Sequence, residues 1–344
     1  MSESAVRRVG DTVLLRRPPA VTAWAAVAGK REGEGPLGKL FDELIPDTHA
    51  GEKTWEAAES RYQQRALHHL LEKAELTVQE LDLVFAGDLG NQCTGSAYTL
   101  RGMDVPFAGV YGACSTMAES LGLAACFVGS GLAARAAALT SSHFCTAERQ
   151  FRTPLEYGGQ RTPTAQWTAT CAGTVLLERG GDAAACVRAV TFGRVRDYGV
   201  TDINNMGGAM APAAAETISR YFADTGADPQ DIEAVYTGDL GLVGSRLLTQ
   251  LLARQGLRLP QHRDCGLLLY DREKQTVGAG GSGCGCSAGV LCTHILPALQ
   301  AGELHRVLLV STGALMSQTT WQQGESIPGI AHLVELSTQE RNDR

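Results

Sequence analysis

The chain has 344 residues, enough for about two domains of ordinary size or for one duplicated unit. Its 30 Lys and Arg against 37 Asp and Glu give a net charge of −7, which argues against a general nucleic-acid-binding protein, because such proteins present basic surfaces. Ten cysteines in a chain of this length are too few for a disulfide scaffold, so we expect reduced thiols. The most apolar stretch, 121–139, contains three glycines and an arginine, so we expect no transmembrane segment.

A repeated pattern divides the chain into two similar halves. Apolar residues recur at helical spacing over 66–74, and after a short turn a buried strand runs into the motif Gly-Asp-Leu-Gly at 87–90. The same motif recurs at 238–241, again after an apolar stretch. Asp239 in the second copy therefore corresponds to Asp88 in the first. Each half therefore contains a helix, a turn and a buried strand in that order.

A second pair of matching segments follows each motif. Residues 112–127 (GACSTMAESLGLAACF) and residues 283–296 (GCGCSAGVLCTHIL) each place a Gly-rich turn and a Cys-Ser dipeptide before a helix of small residues. Apolar runs then end in small hydroxyl residues at 137–142 and 307–312, which predicts one more buried strand in each half. The alternation of strands and helices in both halves predicts an α/β fold.

Two copies of such a unit, with glycines where helices and strands meet, predict packing around a pseudo-two-fold axis. This arrangement resembles the thiolase fold, in which five layers in the order αβαβα hold two buried mixed sheets around central helices. We expect residues 1–185 to form the first thiolase-like half, with a loop excursion over 141–168. Residues 186–344 are expected to form the second.

Short strings of distinctive sequence extend this resemblance over nearly the whole chain. They are PLGKLFDE (36–43), GACSTMAES (112–120), SSHFCTAERQFRTPLEYGGQ (141–160), NNMGGAMAPAA (204–214), HRDCGLLLY (262–270), AGGSGCGCSAG (279–289) and ESIPGIAH (325–332). Together these strings are similar to the stage V sporulation protein AD family of spore-forming bacteria.

That resemblance implies a protein that binds dipicolinic acid, a pyridine ring with two carboxylates, and supports its uptake with calcium into the developing spore. It also implies a homodimer, with other stage V sporulation A proteins at the membrane as partners. The chain is then expected to be soluble and of cytoplasmic type, lying peripherally at the inner membrane of the spore. No cofactor and no nucleic acid are expected.

Cys114 follows the apolar run 105–110 and precedes a predicted helix over 115–128, so its sulfur is expected at a helix N-terminus, where the dipole lowers a thiol pKa. The resemblance places it where thiolases and ketoacyl synthases carry their nucleophile. In condensing enzymes a histidine commonly follows the strand of the second half, but that position here holds Gly-Asp at 238–239. His143 is the histidine expected near Cys114, and an unreactive buried thiol is the alternative interpretation.

The segment 141–168 shows no amphipathic period and mixes Arg149, Arg152 and Arg161 with four aromatic residues. Long segments of this kind in a compact domain are usually functional or disordered, and guanidinium groups beside aromatic rings suit a planar dicarboxylate. We therefore expect Arg149 and Arg152 to counter the carboxylates of a ligand. The alternative is that the arginines pair with acidic residues of the same segment on a dimer surface.

Three weaker signals concern turns and cysteines. Asn91 closes the first Gly-Asp-Leu-Gly turn, where the second half has Leu242, and we expect either a contact with the ligand or a turn-forming role. The glycine spacing over 278–283 fits a dinucleotide motif, but no strand directly precedes it, so it predicts a tight turn. The cysteines at 284, 286 and 292 lack the spacing of a structural zinc site, so no metal is expected.

Two functions fit these observations. The favoured one is a non-enzymatic binding protein that holds dipicolinate in the remnant of a condensing-enzyme pocket, formed by Cys114, His143, Arg149, Arg152 and Asn91. The alternative is an active thiolase- or ketoacyl-synthase-type acyltransferase with Cys114 as nucleophile. The first is favoured because no general base or oxyanion-binding residue is found at a matching position.

Overall fold

The computed structural model describes residues 4–151, 161–181, 183–259 and 261–338. Its strands, in chain order, are β1 (Val6–Val9), β2 (Thr12–Leu15), β3 (Ala20–Gly29), β4 (Glu43–Ile45), β5 (Leu83–Gly87), β6 (Phe107–Gly109), β7 (Arg135–Ser142), β8 (Trp167–Thr168), β9 (Cys171–Glu178), β10 (Ala185–Thr191), β11 (Ala234–Thr237), β12 (His262–Asp264), β13 (Gly281–Ser282), β14 (Arg306–Ala314) and β15 (Gly329–Ser337). Its α-helices are α1 (Lys30–Gly33), α2 (Trp55–Ala74), α3 (Thr94–Leu100), α4 (Thr116–Ser130), α5 (Phe144–Phe151), α6 (Met206–Thr225), α7 (Gly241–Arg254), α8 (Cys265–Leu268), α9 (Cys284–Val290), α10 (Leu296–Gln300) and α11 (Gln318–Gln322). A π-helical turn, Leu291–Ile295, joins α9 to α10.

Two half-sheets repeat one topology. The spatial order is β3-β9-β7-β5-β6 in the first and β10-β15-β14-β11-β12 in the second. In each half the first two neighbouring pairs are antiparallel and the last two are parallel. β3 and β10 pair antiparallel, so the half-sheets meet edge to edge. The sequence repeat therefore corresponds to a repeat of the fold. The predicted boundary between the two halves, at 185/186, falls at the start of β10 and stays a prediction.

The layers follow the predicted order αβαβα. α4 forms part of the middle layer, because it packs against β5 and β7 of the first half and against β14 and β15 of the second. α9 lies beside it and packs on β7 and β9. α2 covers the other face of the first half-sheet, and α6, with α7 beside it, covers that of the second. Among the described residues, no helix combines the length and the apolarity needed to cross a membrane.

The predicted buried strands are confirmed. The run 137–142 lies in β7 and the run 307–312 lies in β14, and in both strands every residue after the first is buried. The two Gly-Asp-Leu-Gly motifs follow β5 and β11, as expected. Strands that are covered on both faces carry continuous small apolar residues rather than an alternating pattern, which is the case in both halves.

Close contact between the middle layer and the sheets depends on glycines. A Cβ on Gly173 of β9 would lie 2.8 Å from the Cβ of Ala288 in α9 and 2.9 Å from its carbonyl oxygen. A Cβ on Gly122 of α4 would lie 2.6 Å from a methyl group of Val190. Glycine thus sets the distance at which α4 and α9 lie between the two half-sheets.

The expectation of a loop over 141–168 is wrong for its first part. β7 continues to Ser142, and α5 then occupies 144–151. Phe144, Ala147 and Phe151 recur at helical spacing, but a stretch of eight residues is too short for that period to identify a helix. Residues 152–160, which include Arg152, lie outside the described residues.

Replacing Gly173 with alanine is expected to destabilise the protein by about 1–3 kcal/mol, because the added methyl group meets Ala288 backbone atoms that cannot rotate away. Thermal or denaturant unfolding measures the difference. Gly33→Ala is the matched control, since its nearest atoms are the methyl ends of the exposed Leu44 side chain. Equal stability of Gly173→Ala and Gly33→Ala would contradict the tight packing of α9 on β9.

Candidate functional site

Cys114 lies in a constrained turn between β6 and α4. Ala113 has a φ of 52°, in the left-handed region that residues with a side chain rarely adopt. The hydroxyl of Ser115 donates to the carbonyl of Gly112 at 2.6 Å, and the amide of Gly112 donates to the hydroxyl of Thr116 at 3.1 Å. α4 begins at Thr116, so the predicted position of the sulfur at the start of a helix is confirmed.

The sulfur of Cys114 meets a carboxyl and a hydroxyl from the second half. It lies 4.0 Å from the hydroxyl of Ser282, and it is near enough to the carboxyl of Asp239 for that group to act on its pKa. Asp239 is fully buried and accepts hydrogen bonds from the hydroxyl of Ser282 at 3.1 Å, the amide of Gly283 at 2.9 Å and the hydroxyl of Thr312 at 2.8 Å. This carboxyl stands in the Gly-Asp position where condensing enzymes are expected to carry a histidine.

Burial, rather than the helix dipole, sets the protonation state of Cys114. Burial raises the pKa of its thiol well above the ordinary value, and the neighbouring Asp239 carboxyl raises it further. Burial also raises the pKa of Asp239, against the hydrogen bonds that favour its ionised form. A helix N-terminus contributes about 0.3–2 kcal/mol, whereas full desolvation of an ionised group costs several kcal/mol. The expected lowering of the thiol pKa is therefore wrong, and the sulfur is held as a thiol.

Two adjoining cavities lead toward this thiol. The inner one, over Cys114, has a volume of about 30 Å³, which is room for little more than a water molecule. The outer one, which we call the mouth, has a volume of about 370 Å³, and Phe151 and Met316 line both. The other walls of the mouth are Asn91, Gln92, Tyr111, Gln150, Ser317, Gln318 and Thr319. The mouth therefore presents amides and hydroxyls, and none of its described walls is charged.

His143 is directed away from Cys114. Its ring is fully buried, with Nε2 2.9 Å from the carbonyl oxygen of Thr48 and Nδ1 accepting from the amide of Cys145 at 3.2 Å. The edge of the ring meets Tyr62, with 6.1 Å between ring centroids. Burial lowers the pKa of His143, so the ring is neutral, and it lines neither the inner cavity nor the mouth.

The remaining expected site residues are also dispersed. Arg149 is half-exposed and pairs with Glu56, and it lines neither cavity. Arg152 lies outside the described residues. Asn91 lies on the wall of the mouth, where its backbone amide donates to the side chain of Gln150 at 3.0 Å. Of the residues expected at the site, the structure thus brings Asn91 and Cys114 to adjoining cavities.

The sequence analysis missed the side chains that face Cys114. Asp239 belongs to the repeated motif and follows a strand directly, a position where functional residues often lie in α/β proteins. The position of Asp239 in this motif is visible in the sequence, but the motif does not show which side chain the carboxyl of Asp239 contacts. Ser282, Phe151 and Met316 stand in no repeated motif, and only the fold brings them to the two cavities.

Cys114 is expected to react with iodoacetamide at pH 8 at least about tenfold more slowly than Cys145, because only the thiolate is nucleophilic and the thiol of Cys114 is the more deeply buried. Peptide mass spectrometry follows each residue separately. In guanidinium chloride, where the fold is lost, the two rates should become similar. Faster labelling of Cys114 in the folded protein would contradict the protonation state derived for it.

Comparison with known proteins assigns the chain to a family. The family model for stage V sporulation protein AD (SpoVAD) matches residues 10–337. The chain is 45% identical over 324 residues to the stage V sporulation protein AD of Bacillus subtilis (strain 168), an alignment that covers 94% of this chain and 95% of that protein.

Two of the solved structures that resemble the chain are a 3-oxoacyl synthase and OleA. One is 3-oxoacyl-[acyl-carrier-protein] synthase III from Aquifex aeolicus VF5, with a TM-score of 0.57 and 13% identity over 93% of this chain and 99% of that one. Another is cerulenin-bound OleA from Xanthomonas campestris, with a TM-score of 0.59 and 11% identity over 93% of this chain and 98% of that one. At such low identities the likeness concerns the fold alone. From the family match and this fold, the chain belongs to the stage V sporulation protein AD family and has the thiolase-like fold of the 3-oxoacyl synthases.

Proposed function

We propose that this sporulation protein is a non-enzymatic binding protein that holds dipicolinic acid at the mouth and supports its uptake with calcium into the developing spore. The observation that carries the proposal is the environment of Cys114. Its thiol is protonated, faces Asp239 and Ser282, and lies under a cavity with no room for an acyl chain. A condensing enzyme needs a thiolate, and these surroundings disfavour one, because burial and the neighbouring Asp239 carboxyl both raise the pKa of the thiol.

The mouth suits a small polar ring better than a fatty chain. Its volume of about 370 Å³ lies in the range of small-molecule sites. Tyr111 offers an aromatic ring, and Asn91 and Gln318 offer amide groups, which hydrogen-bond carboxylate and ring-nitrogen atoms. Because the described walls are uncharged, they favour the calcium chelate of dipicolinate, in which the metal neutralises both carboxylates, over the free dianion.

The remaining expectations from the family resemblance belong to the same proposal. Other stage V sporulation A proteins at the membrane are proposed as the partners that carry the ligand onward, with this chain peripheral at the inner membrane of the spore. A homodimer is proposed through β6, the outermost strand of the first half-sheet. Phe107 on this strand, Tyr111 just after it and Tyr98 on the neighbouring α3 are all exposed, and an uncovered edge strand of this kind readily pairs with another chain.

Isothermal titration of the full chain with dipicolinate, alone and with calcium, tests the binding. We expect saturable binding of one ligand per chain, tighter with calcium present. Asn91→Leu and Tyr111→Ala are expected to weaken it by about tenfold, because each removes a ligand contact from the wall of the mouth.

Gln322→Leu is the matched control, since this exposed residue lies on α11 but not on the mouth. Its affinity should stay within about twofold of the wild type. Absence of binding to the wild type under both conditions would overturn the proposal. Unchanged binding in Asn91→Leu and Tyr111→Ala, with folding verified by thermal unfolding, would place the ligand elsewhere.

Light scattering after size exclusion tests the dimer. The wild type is expected at twice the chain mass of 36.4 kDa. Phe107→Lys should shift it toward the monomer, because a charge would be buried without a partner. Val195→Lys, at an exposed apolar residue elsewhere, should leave the dimer intact. A monomeric wild type, or a Phe107→Lys variant with the wild-type mass, would exclude pairing through β6.

A further inference from the structure

β12 is the outermost strand of the second half-sheet, in the position that β6 holds in the first. The amide of Val235 on β11 donates to the carbonyl of Gln261 at 3.0 Å. Because backbone groups point alternately to the two sides of a strand, the amide and the carbonyl of the next residue, His262, are directed away from β11. The described residues place no further strand on that side, so β12 presents an edge to which another segment can pair.

A groove with a volume of about 340 Å³ lies beside this edge, and we call it the β12 groove. It shares no residue with the mouth or with the cavity over Cys114. Its walls are the three residues of β12 together with Leu242, Ser245, Arg246 and Thr249 of α7 and Leu267 and Leu268 of α8. A free strand edge is thus joined to a recess that has room for side chains of a bound segment.

The charge around the β12 groove is positive. Over 240–263 the chain has four arginines and no acidic residue, although its net charge is −7. Arg246 and Arg263 lie on the groove wall and are exposed, and neither forms an ion pair with a described residue. The guanidinium of Arg263 lies 6.0 Å from the ring centroid of Tyr236. The groove therefore offers two accessible cations to a ligand.

The other ionisable wall residues do not oppose an acidic ligand. Asp264 is 2% exposed, and its carboxyl is directed into the fold. That carboxyl accepts hydrogen bonds from the amides of Leu240 and Gly241, at 2.9 and 3.0 Å, and from the hydroxyl of Thr237 at 2.6 Å. Burial lowers the pKa of His262 to about 4, so its ring is neutral at pH 7. The described walls of the groove therefore present no exposed carboxylate.

The outer edges of the two half-sheets differ in chemistry. Phe107 and the neighbouring Tyr98 make the β6 edge aromatic, which suits the pairing with a second copy proposed above. Pairing of two β12 edges about a two-fold axis would instead bring the arginines of one copy toward those of the other, and such like-charge contacts cost free energy. The partner that fits β12 is therefore a chain of opposite charge.

We propose that the β12 groove binds an extended acidic segment of another protein, which adds a strand alongside β12 and places its carboxylates near Arg246 and Arg263. Backbone hydrogen bonds to His262 supply affinity that does not depend on the sequence of the segment, and the two arginines select acidic side chains. This interaction goes beyond the function proposed for the mouth and does not depend on it, because the two sites share no residue.

Fluorescence anisotropy of the full chain with a labelled peptide tests the interaction. The probe is a short fluorescein-labelled peptide in which glutamate and valine alternate, and it is expected to bind the wild type in a saturable manner. Arg246→Glu and Arg263→Glu should each weaken binding by at least about tenfold, because the carboxylates of the peptide then meet a like charge. Arg61→Glu, the same change at an exposed residue of α2, is the matched control and should stay within about twofold of the wild type.

Two altered peptides separate strand addition from charge attraction alone. A peptide with lysine in place of glutamate should not bind, because its charge repels the two arginines. A peptide with glutamate and valine in which every backbone amide is methylated keeps its charge but has no N–H donor for pairing. It should bind at least about tenfold more weakly than the unmethylated peptide.

Four outcomes would overturn the proposal. They are no binding of the acidic peptide to the wild type, unchanged binding in either arginine variant, equal binding of the methylated peptide, and tighter binding of the lysine peptide. Arg246 lies on the exposed surface of α7, so its variant is expected to keep the fold, which thermal unfolding verifies, even if Arg263→Glu does not. Arg246→Glu should bind dipicolinate as the wild type does, which separates this site from the mouth.

Discussion

The buried carboxyl of Asp239 holds together the part of the molecule in which the two halves meet. It accepts hydrogen bonds from Thr312 on β14, from Ser282 on β13, and from the backbone of Gly283 at the start of α9, and it reaches across to Cys114 in the first half. Each of those donors would cost about 1–3 kcal/mol if left unpaired in the interior. The same carboxyl therefore joins these elements and adds to the effect of burial in raising the pKa of the thiol beside it.

The aspartate of the repeated Gly-Asp-Leu-Gly motif makes different contacts in the two halves. In the first, Asp88 is equally buried but accepts from the amides of Gly90 and Ser96 and from the hydroxyl of Ser96, so that it fastens β5 to the start of α3. In the second, the corresponding Asp239 turns toward the middle layer and meets a thiol. The aspartate of a duplicated turn motif can thus have a structural role in one half, while the corresponding aspartate of the other half lies at the candidate site.

The sequence predicted the parts of the fold that depend on local pattern. The repeat predicted two halves of like topology, and the apolar runs predicted β7 and β14, because strands covered on both faces show continuous burial. It missed α5, since the helical spacing of Phe144, Ala147 and Phe151 extends over only eight residues. It also placed His143 near Cys114 on the strength of the strand that precedes it, whereas the direction of a side chain after a strand end depends on neighbours such as Thr48.

The electrostatics of the site could be predicted only in part, for a physical reason. A helix N-terminus is visible in the sequence, and its effect on Cys114 is to lower the pKa. The desolvation that outweighs it depends on burial by both halves, since the cavity over Cys114 is lined by Leu89 and Ala147 of the first half as well as by Met316 of the second.

The proposed absence of condensing-enzyme chemistry rests on the surroundings of Cys114. Incubation of the protein with acetyl-CoA, followed by intact-mass measurement of the wild type and of Cys114→Ala, tests it most directly. The account predicts no acyl adduct on either protein. A stoichiometric adduct that forms on the wild type, is absent from Cys114→Ala and turns over on addition of an acceptor would contradict it and identify an active acyltransferase.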